Sequence, residues 1–134
     1  MTSIREKQLV LVVDDEESFL EIITAKLSAS GFDTAKAHNE EEAIKQAENL
    51  MPDMILMDIR MPGASGTDAA LAIKQNPKTK GIKIAFLTSL TDPWPSVDAN
   101  TLKITQELGM EDYIEKSEDL DMVTKKVKEI LARK

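Results

Sequence analysis

Four acidic residues, a threonine and a lysine stand where short apolar runs end. Asp14, Asp15 and Glu16 follow Leu9–Val13, Asp58 follows Met54–Met57, Thr88 follows Ile82–Leu87, and Lys116 comes two residues after Tyr113–Ile114. Carboxylates brought to adjoining strand ends repel one another, and at least one has a raised pKa unless a cation intervenes. Hard oxygen donors with room for water suit Mg2+, with Mn2+ or Ca2+ as substitutes. Softer chemistry is excluded by what is missing. The chain has no cysteine, hence no disulfide framework, thiolate zinc site or cysteine nucleophile, and its single histidine cannot build an imidazole metal cluster.

These side chains can meet only if the runs before them are neighbouring strands. Five short runs rich in Val, Ile, Leu or Met, at Leu9–Val13, Phe32–Ala37, Met54–Met57, Ile82–Leu87 and Tyr113–Ile114, alternate with longer stretches of helical periodicity. That is the pattern of a parallel sheet with crossover helices. Phe19, Ile23 and Leu27 recur at helical spacing before Gly31, which sits where a C-terminal cap belongs. Asn39 with Glu42 three residues later reads as the cap of a second helix carrying Ala43, Ala47 and Leu50, closed by Pro52. A third helix is expected over Thr67–Gln75, and a fourth from Ser96 through Val97, Ile104 and Leu108 to Gly109. The fifth carries the stripe Leu120, Val123, Val127 and Ile130, with acids early and lysines late, as the helix dipole favours.

Five βα units with right-handed crossovers give an α/β fold with a doubly wound, five-stranded parallel sheet and five helices. In the flavodoxin-like order 2-1-3-4-5, strands 1 and 3 flank the reversal of winding, and ligands in such sheets bind there beyond the carboxyl ends of the strands.

The size and charge agree with this economy. The chain has 134 residues, 42% of them hydrophobic, which suits one domain over 1–134 with a single sizeable core. Its formal net charge of −7 argues against direct nucleic-acid binding, since such modules neutralise phosphates with basic surface. The start lacks the apolar stretch of a secretory signal, and the longest strongly apolar run, Leu9–Val13, is far too short to span a bilayer. A soluble cytoplasmic protein without membrane insertion is expected.

Taken together and in order, Val13-Asp14-Asp15-Glu16, Leu56-Met57-Asp58-Ile59-Arg60-Met61-Pro62-Gly63, Phe86-Leu87-Thr88-Ser89 and Tyr113-Ile114-Glu115-Lys116 resemble the motif set of response-regulator receiver domains, the phosphoacceptor half of two-component signalling. Any one of these motifs alone is weak; the joint match covers nearly the whole chain.

The resemblance implies a role for each residue. Asp58 would take a phosphoryl group from a phosphohistidine donor, giving an acyl phosphate. Asp15 would bind Mg2+ directly and Asp14 mainly through water, joined by a carboxylate oxygen of Asp58 and the backbone carbonyl of Arg60. Lys116 would pair with Asp58 and then with the phosphoryl oxygens, and the Thr88 hydroxyl would donate to another of them. Inward movement of Thr88 would leave space for the ring of Tyr113, coupling the pocket to the face formed by the fourth helix, fifth strand and fifth helix. Implied partners are a histidine kinase or histidine phosphotransfer protein, a downstream protein target, and a second copy of the chain through that same face. The activity implied is that of a phosphoacceptor with at most weak self-phosphorylation and autodephosphorylation, and not of an enzyme with a separate substrate.

Each residue also has an ordinary reading. Asp14 and Asp15 suit a helix N-terminus, Asp58 a turn, Thr88 a strand end, and Lys116 solvated surface. Tyr113 suits core. His38 is read as surface, and Met51, Met54, Met57 and Met61 as filling around the third strand. Only the constellation favours the chemical reading of the first five.

Two features depart from the family pattern. Receiver domains usually follow the lysine with proline after a cis bond; here Ser117 follows, and a trans Lys116–Ser117 peptide is expected because a cis bond before a non-proline costs about 2.5–4 kcal/mol. The stretch Leu90–Ser96, with Pro93, Trp94 and Pro95, looks longer and stiffer than the usual link, and Trp94 either packs locally or anchors a partner. Two alternatives stay open: a receiver-like binding module acting without phosphorylation, and a Mg2+-dependent phosphohydrolase. The second places an Asp two residues beyond its nucleophile, where here Asp14 is followed by Glu16 and Asp58 by Arg60, and neither fits well.

Overall fold

The computed structural model describes residues 7–58, 60–61, 64–88, 112–116 and 119–133. Elements follow in the order β1 (Leu9–Val13), α1 (Glu17–Ala29), β2 (Asp33–Ala37), α2 (Glu40–Leu50), β3 (Met54–Asp58), β4 (Arg60–Met61), β5 (Ala64–Ser65), α3 (Gly66–Gln75), β6 (Lys83–Thr88), β7 (Asp112–Glu115) and α4 (Leu120–Ala132). Five strands form one sheet in the order β2-β1-β3-β6-β7, every neighbouring pair parallel. Counting only those strands, this is the expected order 2-1-3-4-5.

The strands form because their residues serve two faces at once. Val10 and Val12 of β1 and Met54 and Leu56 of β3 enter one core with Leu20, Ile23 and Leu27 of α1 and Val123, Val127 and Ile130 of α4. Leu11, Val13, Ile55 and Met57 enter the other, with Ala43 and Ala47 of α2 and Ala69, Ala70 and Ile73 of α3. Alternation with period two therefore sends successive residues to opposite layers, and a strand buried on both sides reads as a continuous apolar run.

The helix ends bear out the expected stops and starts. Gly31 adopts φ 101° after α1, and the Phe32 N–H donates to Leu27 O at 3.1 Å across it, the pairing that closes a helix on a left-handed glycine. Asn39 Oδ1 accepts from the Glu42 N–H at 2.9 Å at the start of α2. Met51 departs from expectation. It closes α2 in the left-handed region at φ 48° and is exposed, whereas Met54 and Met57 are fully buried. A residue spent on ending a helix leaves the core.

The short antiparallel pair β4–β5, with Arg60 opposite Ser65 and Met61 opposite Ala64, is an addition to the expected fold. The expected fourth helix, the stretch with Pro93, Trp94 and Pro95, and the Lys116–Ser117 peptide lie outside the described residues. Among the described residues no helix is long and apolar enough to cross a membrane.

Candidate acidic site

The sheet order brings the ends of β1, β3 and β7 to one edge, and the chemistry collects there. Asp14 follows β1 directly and is fully buried. Its backbone N–H donates to Ala37 O at 3.1 Å, extending the β1–β2 ladder by one bond and fixing where its side chain starts. Asp14 Oδ1 accepts from the Glu16 N–H at 2.9 Å, so the side chain also shapes the turn into α1. Asp58 ends β3, pairs with Leu87 in the ladder and is only 5% exposed. Asp15 is exposed. Asp14, Asp15 and Asp58 each place a carboxylate oxygen within 4.8 Å of the others.

Lys116, the first residue beyond β7, supplies the counter-charge. Its Nζ lies 2.7 Å from Asp14 Oδ2, 2.9 Å from Glu16 Oε1 and 3.9 Å from Asp58 Oδ2, with 12% of its side chain exposed. The ammonium also sits 4.7 Å from the centroid of the Phe19 ring, within cation–π reach. Burial pushes the Asp14 carboxyl pKa up, against the lowering effects of Lys116 and the Glu16 N–H. For Lys116, burial pulls downward, but hydrogen bonding to Asp14 and Glu16 and the charges of Asp14 and Asp58 outweigh it, and the pKa rises. Lys116 is therefore a permanent cation at neutral pH.

The donor set fits a hard divalent ion. Adjacent ligand oxygens around an octahedral Mg2+ are about 3 Å apart and opposite ones about 4.2 Å, from a metal–oxygen distance near 2.1 Å. Three carboxylate oxygens within 4.8 Å of each other are close to that span, and with one of them acting through water they can share one ion. Asp14 Oδ2 is buried and faces the Lys116 ammonium at 2.7 Å, a carboxylate oxygen that already draws positive charge into the pocket. Such an atom is suited to a cation or to a water held by one. Exposed Asp15 keeps one side open to solvent.

Four of the expected site residues, Asp14, Asp15, Asp58 and Lys116, thus converge. Thr88 ends β6 with its backbone opposite Glu115, and Tyr113 lies in β7 opposite Phe86; the Thr88 hydroxyl and the Tyr113 ring lie outside the described side chains. Arg60 opens β4, two residues past Asp58.

Sequence reasoning missed Glu16 and Phe19 as neighbours of Lys116. Glu16 at the N-cap and Phe19 in the first turn of α1 are three residues apart and fall on one side of the helix start, but the lysine is 100 positions from Glu16. His38 is on the surface, as expected, yet it is clamped. Nδ1 lies 3.0 Å from Glu42 Oε1 and Nε2 2.6 Å from Glu17 Oε2. The Glu42 contact was available from the i, i+4 spacing; the Glu17 contact was not. A separate hollow of about 320 Å3, lined by Gln8, Met51, Asp53, Lys83 and Leu131 among others, lies at the amino ends of the strands, away from Asp58.

Comparison with known proteins agrees with this geometry. Residues 10–128 match the family described as the response regulator receiver domain. The chain is 35% identical over 127 residues to the DNA-binding response regulator MtrA of Mycobacterium tuberculosis, covering 95% of this chain and 49% of that protein. It is 34% identical over 124 residues to the alkaline phosphatase synthesis transcriptional regulatory protein PhoP of Bacillus subtilis, covering 92% and 48%. The chain therefore spans about half the length of these curated relatives. Among solved structures, the signal receiver domain of a signal transduction histidine kinase from Syntrophus aciditrophicus superposes with a TM-score of 0.77 at 26% identity, over 93% of this chain and 90% of that one.

Proposed function

The chain belongs to the response-regulator receiver family, the receiving module of two-component signalling, and for it we propose phosphoryl acceptance at Asp58 from a phosphohistidine donor. The observation that carries this reading is the meeting of Asp14, Asp15 and Asp58 within 4.8 Å, with the Lys116 ammonium 3.9 Å from Asp58. Asp14, more buried and nearer the ammonium, is already engaged by Lys116 and the Glu16 N–H; Asp58 ends the middle strand of the sheet with the ammonium 3.9 Å away, and it stands where the receiver motif Leu56–Gly63 carries its phosphoacceptor.

In the proposed reaction a carboxylate oxygen of Asp58 attacks phosphorus, the new O–P bond forms as the P–N bond to the donor imidazole breaks, and the imidazole leaves with the bonding pair. Phosphoryl transfer needs mainly positioning and charge neutralisation. Asp15 and Asp58 would hold Mg2+ directly, Asp14 mainly through water, and the Arg60 carbonyl would complete the protein ligands. When bound, the ion neutralises charge on the transferring group. Lys116 binds a phosphoryl oxygen on the other side, and the Thr88 hydroxyl donates to a third. Movement of Thr88 and Tyr113 would then alter the surface that includes β7 and α4 for a downstream protein or a second copy of the chain.

We read residues 1–134 as one such domain, working in the cytoplasm with a histidine kinase or phosphotransfer protein. The DNA-binding named for MtrA is that protein's own. Incubation with acetyl phosphate and Mg2+, followed by intact mass, tests the reading. One added phosphoryl group is expected in the wild type and none in Asp58→Asn. No gain in the wild type supports a module that acts without phosphate.

A further inference from the structure

We propose that Glu16 is a competing carboxylate that holds Lys116 back from Asp58, so that anion binding at Asp58 requires the lysine to leave it. The inference rests on the reading of Asp58 as phosphoacceptor and concerns how readily that site accepts its anion.

Glu16 occupies the N-cap position of α1, where Ser, Thr, Asp and Asn are favoured because their short side chains reach back to the first helical N–H groups. Glu16 makes no side-chain cap bond. Its carboxylate extends instead to Lys116 Nζ, 2.9 Å away. The turn into the helix is shaped by Asp14, whose Oδ1 accepts the Glu16 N–H. The Glu16 side chain is therefore not committed to the helix start, and its described contact is the lysine.

The distances rank the partners of the ammonium. Asp14 at 2.7 Å and Glu16 at 2.9 Å are within hydrogen-bond range, whereas Asp58 at 3.9 Å is not. The Phe19 ring, one turn along the same helix face, flanks the ammonium and helps keep it on the α1 side of the pocket. A phosphoryl oxygen on Asp58 needs one of the ammonium N–H groups that these carboxylates engage. Asp14 is fully buried, and losing Lys116 would strand its charge. Glu16 is 61% exposed and can be rehydrated when released. Glu16 is thus the partner that yields, and its negative charge weakens anion binding until it does.

The test compares wild type, Glu16→Gln and Asp58→Asn as full chains at saturating Mg2+, titrated with beryllofluoride and followed by amide NMR shifts. Saturating Mg2+ removes any change in ion affinity from the comparison. An exposed carboxylate at this distance alters affinity by about two- to fivefold, and Glu16→Gln should bind beryllofluoride tighter than wild type by that factor at low salt. The difference should shrink at roughly 0.5 M salt, where the Debye length falls to about 4 Å; a change caused by altered packing would not. Equal or weaker binding by Glu16→Gln overturns the inference, weaker binding identifying Glu16 as a residue that positions Lys116. Absence of binding in the wild type, or equal binding in Asp58→Asn, removes the reading of Asp58 itself and the inference with it.

Discussion

Two neighbouring glutamates at the start of α1 reach in different directions, and the charge clusters they join differ in kind. Glu16 meets Lys116 beside buried Asp14 and Asp58. Glu17 meets His38, whose side chain is 42% exposed and whose other nitrogen meets Glu42. Both set basic side chains among carboxylates, Lys116 in the first and His38 with Lys36 in the second. In the first, two of the three carboxylates are removed from water, so losing the cation leaves charge with nowhere to go. In the second every member is open to solvent, and water can replace any partner. Burial, more than contact distance, separates a site that stores electrostatic energy from one that fastens two helix ends.

The contrast breaks most visibly on removal of each cation. Lys116→Met should destabilise the ion-free protein by about 3 kcal/mol, the lower end of the range for breaking a buried pair, because Asp15 leaves one side of the pocket wet. Urea unfolding at neutral pH measures it. His38→Gln should cost less than about 1 kcal/mol in the same assay. Equal losses would erase the distinction.

How much of this was legible in the sequence follows the same divide between local and distant. β1 and β3 are recognisable because burial on both faces makes Leu9–Val13 and Met54–Met57 unbroken apolar runs, and Gly31 and Asn39 punctuate helices through contacts within five residues. The meeting of Asp14, Asp58 and Lys116 was also readable, since strand order alone brings strand ends to one edge. What escaped depends on side chains crossing between elements: Glu16 on Lys116, Phe19 beneath the ammonium, Glu17 on His38. Nothing in their own segments specifies those partners. Met51 misled for a related reason, since an apolar type suggests burial while its place at the end of α2 puts it outside.

Added Mg2+ sharpens the comparison, with a smaller effect. At ten times its Kd a ligand that binds only the folded state stabilises by about 1.4 kcal/mol. Under the proposed ligand roles, Asp15→Ala should lose most of that increment and Asp14→Ala less, because a direct ligand contributes more than one acting through water. His38→Gln should keep all of it. Equal increments in Asp14→Ala and Asp15→Ala, read from urea unfolding with and without Mg2+, would contradict the assignment of direct and water-mediated ligands.

The smallest effect lies in the exposed cluster and appears as a pH dependence. The His38 pKa is raised above 6.5, first by its hydrogen bond to Glu42 and then by that to Glu17, with burial opposing them and the charges of both glutamates adding less than either bond. Lys36, 3.9 Å from Glu17, shares that carboxylate. Because the folded value exceeds the unfolded one, the folded state binds the proton more tightly. The His38 contribution is therefore fully present below about pH 6.5, the unfolded value, and is lost as pH rises through the raised folded value. The difference in unfolding free energy between wild type and His38→Gln should fall from a few tenths of a kcal/mol at acid pH toward zero at alkaline pH, the size expected of exposed pairs at about 0.2–1 kcal/mol. A difference that grows with pH would mean that His38 is held neutral, donating to one glutamate only, and that the two clusters differ in protonation as well as burial.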